Sequence, residues 1–480
     1  MAEQSLKDRT AKGLFWGGIS NSIQQALNLI FGIFLARLLN DSDYGMVGML
    51  TIFSLIAGSL QESGFIAALV NKKNIKHEDY NAVFWFCSGI SLVLYVLLYA
   101  CAPLIAAFYG NDELTPLARY TFIGFFISSL GIAHSAFLFR NLMVKQRAIS
   151  YIIALIVSGT SGIILAYNGF SYWGIATQNL IYILITNGCF WYFSKWRPSF
   201  HFNFSPLKSM IGFSSKLLLT NIFCHINNNI FSIILGKYYS EKEVGQFNQA
   251  NKWNYIGHSF ITGMVNNVAQ PVFSHITDDR LRQQRAFRKL LRFTSFISFP
   301  AMFGISLIAP EMITIAITDK WLPSAHILQI LAIGGAFLPI ATLYSNLLIS
   351  KGKSDIYMWN TILLGTLQLI VMFLLNGYGI RAMLLVYISI NILWLLVWHY
   401  FVQKEIDYSL SNASKDILPF AGIALLTMLV TSYATQSIVN IYLLIVLKIL
   451  IAAAVYITIM WATRSKIFKE CIQYLRHKSD

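Results

Sequence analysis

Long apolar stretches separated by short polar connectors recur along the whole chain. Most of the stretches are about 18 residues or longer, which lets an α-helix cross ~30 Å of hydrocarbon. Hydrocarbon offers no partner to free backbone groups, so membrane-spanning stretches of this kind form helices. We therefore expect an all-α polytopic membrane protein with about fourteen transmembrane helices, at residues 13–39, 44–70, 80–108, 116–139, 148–167, 170–194, 207–236, 244–273, 290–316, 323–350, 356–376, 379–402, 416–434 and 439–462.

One motif occurs twice in the chain, 200 residues apart. Residues 34–45 read FLARLLNDSDYG, and residues 234–245 read ILGKYYSEKEVG. The register continues upstream without a gap, and seven of the 25 positions aligned between 21–45 and 221–245 are identical. Matched asparagines, charged residues and a glycine favour an internal duplication over a chance likeness of apolar segments.

The duplication predicts how the helices are grouped. Six predicted crossings separate equivalent points, so the two repeats have the same orientation in the membrane. We expect two parallel six-helix lobes, at residues 1–200 and 201–403, followed by two extra helices and a basic tail at 404–480. Two lobes around a central seam are typical of an alternating-access transporter, whose site lies between the lobes.

The charge distribution predicts the orientation. The chain has 480 residues, of which 12% are charged, whereas soluble domains carry about a quarter. Its net charge is +15, and 27 of the 36 Lys and Arg residues fall in alternate connectors and in the two termini. Because basic connectors mark the cytoplasmic side, both termini are expected in the cytoplasm. The excess charge is thereby explained, and no nucleic-acid partner is needed.

Amide side chains are concentrated in two predicted helices that the duplication makes equivalent. Their spacings of three, four and seven residues place each set on one helical face. These side chains either form hydrogen bonds between helices or line a polar cavity that binds substrate. The candidate residues are Asn21, Gln25 and Asn28 in the first helix, and Asn221, His225 and Asn228 in the seventh.

Buried charges indicate which ligand such a cavity would take. Lys216 and Lys252 lie well inside predicted helices, where an ionised group costs roughly 2.5–3.5 kcal/mol and therefore normally faces protein or water. They predict an anionic substrate. Arg37 and Lys237 are weaker candidates at helix ends, matched by the duplication. Glu62 is expected either to neutralise a lysine or to bind a coupling proton or Na⁺.

Other charged segments have simpler interpretations. Lys448 lies near the middle of the last predicted helix, where a structural ion pair or snorkelling is favoured over a cavity role. Residues 277–293 predict a basic amphipathic helix on the cytoplasmic surface that anchors the chain or contacts anionic lipid headgroups. The five cysteines show no CxxC spacing, and no catalytic motif occurs. We expect no enzyme activity, no catalytic residues, no metal site and no resident cofactor.

Several stretches resemble bacterial polysaccharide flippases of the Wzx type, closest to the WzxC-like branch. These are ESGFIAALVNKKNIKHEDYNAVFW (62–85), CAPLIAAFYGNDEL (101–114), FRNLMVKQRAISY (139–151), NNIFSIILGKYYSEKEVGQFNQANKW (228–253) and FPAMFGISLIAPEMITIAITDKWLPSAHILQIL (299–331). The family belongs to the superfamily that includes the multidrug MATE antiporters and the lipid II flippase.

The resemblance implies that an undecaprenyl-diphosphate-linked oligosaccharide crosses the bacterial cytoplasmic membrane, coupled to an H⁺ or Na⁺ gradient. A precursor of lipopolysaccharide, capsule or exopolysaccharide would be the substrate, and a polysaccharide polymerase and its assembly machinery would be partners. Two alternatives stay open on the residues: a MATE-like multidrug or cation antiporter, and an integral membrane enzyme acting on polyprenyl-linked glycans.

Overall fold

This computed structural model describes residues 2–62, 64–72, 74–201, 203, 205–276, 279–465, 467–470 and 473, and leaves out most side chains of 2–18 and 206–219. Its described residues contain no β-strand, which confirms the all-α prediction. The helices are α1 (Ala2–Leu38), α2 (Asp41–Glu62), α3 (Phe65–Asn71), α4 (His77–Tyr109), α5 (Leu114–Arg140), α6 (Val144–Tyr167), α7 (Ser171–Phe193), α8 (Ser205–Tyr238), α9 (Glu241–His275), α10 (Arg280–Ile317), α11 (Leu322–Gly335), α12 (Leu338–Ser350), α13 (Ser354–Leu374), α14 (Ile380–Ile406), α15 (Leu410–Thr435) and α16 (Ile441–Ala462).

Eleven segments of the described chain are long and apolar enough to span a membrane, so the protein is a multi-pass membrane protein. Three further predicted helices form as α7, α8 and α9 but are not among these segments: α7 and α9 carry many polar side chains, and most side chains of 206–219 in α8 lie outside the described part of the chain. The number of fourteen crossings stays a prediction.

The chain divides into two compact units, residues 1–245 and 246–480. In the first unit, α4 packs on α5, α6 on α1 and α7, and α2 on α8. In the second unit, α10 packs on α11, α15 and α16, while α14 contacts α11, α12 and α13. The lobes predicted at 1–200 and 201–403, with the appendage at 404–480, remain a prediction.

Two predicted helices are interrupted. The predicted helix 44–70 ends at Glu62, because Gly64 adopts a left-handed conformation (φ 71°) before α3 begins. The predicted helix 323–350 is divided between α11 and α12 at residues 336–337. Arg140 covers the carboxyl end of α3, since its guanidinium donates to the carbonyl oxygens of Leu69 (2.9 Å) and Val70 (2.7 Å).

The two copies of the duplicated motif meet within the first unit. A Cβ atom placed on Gly45 would lie 1.7 Å from the carbonyl oxygen of Glu241. A Cβ atom placed on Gly245 would lie 1.8 Å from the carbonyl oxygen of Asp41. The packing is therefore reciprocal and brings backbone against backbone, which only glycine permits. This close approach is the physical reason for a glycine at the same place in both copies.

The basic segment 277–293 is helical from Arg280 onward, as predicted, but it is continuous with the predicted helix 290–316, and its place on the cytoplasmic surface stays a prediction. α10 runs continuously over 38 residues, about 57 Å at ~1.5 Å per residue, so it extends well beyond a ~30 Å hydrocarbon core. Two of its arginines form ion pairs inside the second unit. Asp416, 1% exposed, accepts bonds from Arg288 Nε (2.6 Å), Arg292 Nε (2.6 Å) and the Tyr408 hydroxyl (2.7 Å), which joins the start of α15 to α10.

Candidate functional site

The predicted polar face of α1 is present. Asn21, Gln25 and Asn28 are exposed on one side of the helix, and no hydrogen bond joins their amides to another described residue. An amide without a partner is costly in hydrocarbon. This face therefore suits the wall of a water-filled cavity better than direct hydrogen bonding between helices.

The equivalent face of α8 is partly exposed. Asn221 and Asn228 are exposed and His225 is half-buried. The neighbouring Asn229 instead donates to the carbonyl oxygen of His225 at 2.9 Å, within its own helix. Lys216 falls in α8, but its side chain lies outside the described residues, so its predicted role stays a prediction.

Lys252 lies half-buried in α9, eleven positions after the helix begins at residue 241. Its ammonium group forms no hydrogen bond or ion pair with another described residue. A lysine inside a membrane helix normally has a partner or faces water. Lys252 is thus a cation that the described part of the protein leaves uncompensated, as a site for an anion requires.

Lys252 continues into a polar stripe that sequence reasoning missed. Ser259, Asn266 and Gln270 follow it at spacings of seven, seven and four residues, so all four lie along one face of α9. None of them is buried, and Asn266 Oδ1 accepts a hydrogen bond from Asn346 Nδ2 of α12 at 2.8 Å. The heptad spacing from Lys252 was the signal available in the sequence.

Lys237 has a local partner. Its Nζ donates to the carbonyl oxygen of Phe108 at 2.6 Å and lies 4.7 Å from the centre of the Phe108 ring. It therefore stabilises the carboxyl end of α4. Arg37 is exposed in the last turn of α1. Substrate contact by either residue remains a prediction.

Glu62 is the last residue of α2, two positions before Gly64, where the helix is interrupted. It lies 21 residues from Asp41, about 32 Å at ~1.5 Å per residue, so it is close to the far side of a ~30 Å hydrocarbon layer. Its carboxylate is exposed and pairs with no described lysine or arginine. A helix carboxyl end is itself negative, and this one has no basic residue in its last turn. The combined negative charge favours a bound cation.

Lys448 forms the structural ion pair that the sequence favoured. Its Nζ lies 2.6 Å from Glu311 Oε1 and 3.1 Å from the carbonyl oxygen of Leu307, linking α16 to α10. The two side chains are 12% and 9% exposed. Glu311 was not singled out from the sequence, because its partner lies 137 residues away.

Comparison with known proteins gives the family context. The family described as "Polysaccharide biosynthesis protein" matches residues 34–326. "Lipopolysaccharide biosynthesis protein WzxC" of Escherichia coli (strain K12) is 23% identical over 358 residues, covering 73% of this chain and 72% of that protein. "Teichuronic acid biosynthesis protein TuaB" of Bacillus subtilis (strain 168) is 23% identical over 426 residues, covering 87% of each.

The fold also has a solved counterpart. The structure of "Lipid II flippase MurJ, inward closed conformation" superposes with a TM-score of 0.77 and 18% sequence identity. The match covers 95% of this chain and 99% of that one. At this level of identity the likeness establishes a common fold.

Proposed function

Since the chain belongs to the polysaccharide biosynthesis protein family, we propose that it flips a polyprenyl-diphosphate-linked oligosaccharide across the bacterial cytoplasmic membrane. The resemblance to Wzx-type flippases is confirmed by the family and by relatives named for lipopolysaccharide and teichuronic acid biosynthesis. Relatives and fold both support transport of a glycan precursor, and the proposal includes no catalytic step. The flipped glycan would pass to a polysaccharide polymerase and its assembly machinery.

The uncompensated Lys252 carries the proposal. A diphosphate brings negative charge into the membrane, and a cation with no carboxylate partner among the described residues offsets that charge. The polar stripe behind Lys252 supplies hydroxyl and amide groups that can follow the phosphates or sugar hydroxyls along α9. The exposed amides of α1 and α8 would line the same type of cavity within the first unit. When these polar faces open alternately to the cytoplasmic and the periplasmic side, the diphosphate and its sugars cross the membrane.

The exposed carboxylate of Glu62 supports coupling to an ion gradient. Glu62 adds a negative charge to the negative end of α2, and a proton or Na⁺ at that position would remove the repulsion. Binding and release of such a cation would bias the conformation of the α2–α3 break. The basic connectors support an orientation in which both termini and the start of α10 are cytoplasmic.

The same carboxylate is the observation that favours the second candidate, a MATE-like exporter of organic cations. Such an exporter needs uncompensated acids and is hindered by an uncompensated lysine. Lys252 therefore decides between the two functions.

Replacing Lys252 tests the proposed function in cells. Lys252→Ala should reduce surface glycan at least about tenfold, because it removes a charge-assisted bond worth about 1.5–3 kcal/mol. Lys252→Arg should be milder. Lys242→Ala is the matched control, since Lys242 is an exposed lysine in the first turn of the same helix. Surface glycan is measured in a deletion strain and normalised to the amount of protein in the membrane. Wild-type glycan display by Lys252→Ala would exclude the proposed role of this lysine.

A further inference from the structure

The segment after α7 folds back over the first turns of α4. We call residues 194–201 and 203 the strap. Asn81 of α4 holds it at two points, because Asn81 Oδ1 accepts from the Ser199 backbone N–H (2.8 Å) and Nδ2 donates to the His201 carbonyl oxygen (2.5 Å). Trp85 Nε1 donates to the Ser199 carbonyl oxygen at 2.8 Å. Three side chain–backbone bonds thus fix a segment that has no regular secondary structure of its own.

A cavity of about 510 Å³ lies between the strap and α4. This volume is in the range of small-molecule sites. Apart from Asn81, its described lining consists of His77 and Glu78 from the start of α4, and Ser199, Phe200, His201 and Asn203 from the strap and its end. None of the described lining residues is a lysine or an arginine, so the cavity is poorly suited to phosphate or to an anionic lipid headgroup.

The cavity retains hydrogen-bonding groups that the protein does not use. The exposed carboxylate of Glu78 forms no bond with another described residue. His77 Nε2 lies 3.0 Å from the carbonyl oxygen of Arg197, to which it must donate, so Nδ1 is left as an acceptor. Asn203 Oδ1 accepts from the Ser205 N–H at 3.0 Å, which leaves its amide N–H groups as donors. Donors and acceptors therefore surround one space, as a polyhydroxylated ligand requires.

Phe200 adds an apolar surface to this polar cavity. Its side chain is 87% exposed, although the strap on either side of it is held by Asn81. Its ring centre lies 5.7 Å from that of Trp85, with an angle of 38° between the planes. A pyranose ring has apolar C–H faces and polar hydroxyls around its edge. An ordered aromatic ring beside carboxylate, imidazole and amide groups matches both parts of a sugar.

We infer that the cavity between the strap and α4 binds a sugar unit of the glycan. Phe200 stacks on the pyranose face, and the Glu78 carboxylate accepts hydrogen bonds from the sugar hydroxyl groups. The inference rests on the proposed function, which supplies a glycan, and on the proposed orientation, which places the strap at the cytoplasmic face. The site would select the glycan before it enters the transport path. Its described lining does not include Lys252, whose proposed ligand is the diphosphate.

Direct binding tests this site without transport. The full-length protein is purified in lipid nanodiscs and titrated with the oligosaccharide released by mild acid from the source bacterium's own lipid-linked glycan. Phe200→Ala and Glu78→Gln should each weaken binding about tenfold or more. The first removes the apolar stacking surface, and the second removes the charged acceptor of hydroxyl hydrogen bonds. Tyr192→Ala is the matched control, because Tyr192 is an 80% exposed aromatic residue outside the cavity. It should bind like the wild type.

The contrary outcomes are separable. Wild-type affinity in both Phe200→Ala and Glu78→Gln would overturn the site, as would a wild-type protein that translocates the lipid-linked glycan but binds no free oligosaccharide. A wild-type protein that binds the oligosaccharide through Phe200 and Glu78 but translocates nothing would uphold the site and reject the proposed function.

Discussion

Removing the carboxylate of Glu311 should destabilise the second unit, because it leaves Lys448 charged and enclosed. Glu311→Gln keeps the size of the side chain and removes only its charge. Lys448 then retains the Leu307 carbonyl oxygen at 3.1 Å, but loses its anionic partner at 2.6 Å.

The size of the effect follows from burial. With side-chain exposures of 9% and 12%, solvent screens this pair little. Removing one partner of a buried ion pair lowers the free energy of unfolding by about 3–5 kcal/mol. Because Lys448 keeps its hydrogen bond to a carbonyl oxygen, we expect a loss at the lower end, about 3 kcal/mol. The double variant Glu311→Gln/Lys448→Met removes the stranded charge and should recover most of the loss.

The assay is reversible unfolding of the purified protein in mixed micelles, followed by tryptophan fluorescence. Glu470→Gln is the matched control, since Glu470 pairs with Lys289 at 2.8 Å but is 50% exposed. An exposed pair contributes about 0–1 kcal/mol, so this control should unfold nearly like the wild type. Equal stability of Glu311→Gln and Glu470→Gln would refute the reasoning, as would a double variant no more stable than Glu311→Gln.

Three further predictions follow from single positions. Gly45→Ala should lower stability by about 1–3 kcal/mol or more, because its Cβ would lie 1.7 Å from a carbonyl oxygen, whereas Gly58→Ala, with open space around it, should be neutral or stabilising in the same unfolding assay. Asp416→Asn should lower stability by about 1.5–3 kcal/mol in that assay, since it removes the negative charge and one of the two acceptor oxygens that two arginines and a tyrosine share; unchanged stability would contradict this role. Single cysteines at Asp112 and Arg285 test the orientation: an impermeant maleimide should label the first in intact cells and not the second, and the reverse pattern would invert the proposed topology.

The sequence was sufficient for the helical class because long apolar runs in a membrane leave the backbone few alternatives. It was insufficient for the break at Gly64, since the short polar run QESG at 61–64 lies between two apolar stretches and is equally compatible with one continuous helix. Only the left-handed conformation of this glycine shows that α2 ends beside Glu62. The predicted helix therefore placed Glu62 in a helix interior, whereas the structure places it at the end of a helix.

Candidate side chains were predicted with uneven success for a related reason. The amides of α1 could be found from their spacing, because a helical face is a local property of the sequence. The Lys448–Glu311 pair and the contacts of Asn81 with the strap join residues more than 100 positions apart, and spacing carries no information about such pairs. The local partner of Lys237 was hidden in the same way, since the Phe108 carbonyl oxygen belongs to α4.

A translocation assay with purified protein tests directly whether this chain flips a lipid-linked glycan and needs Lys252 to do so. Protein is reconstituted into liposomes that contain the polyprenyl-diphosphate-linked oligosaccharide in both leaflets, and a lectin added outside reports the glycan that becomes accessible with time. The wild type and Lys242→Ala should expose the inner pool, and Lys252→Ala should not. A wild-type protein that exposes no more glycan than protein-free liposomes, or a Lys252→Ala protein that exposes it at the wild-type rate, would contradict the account.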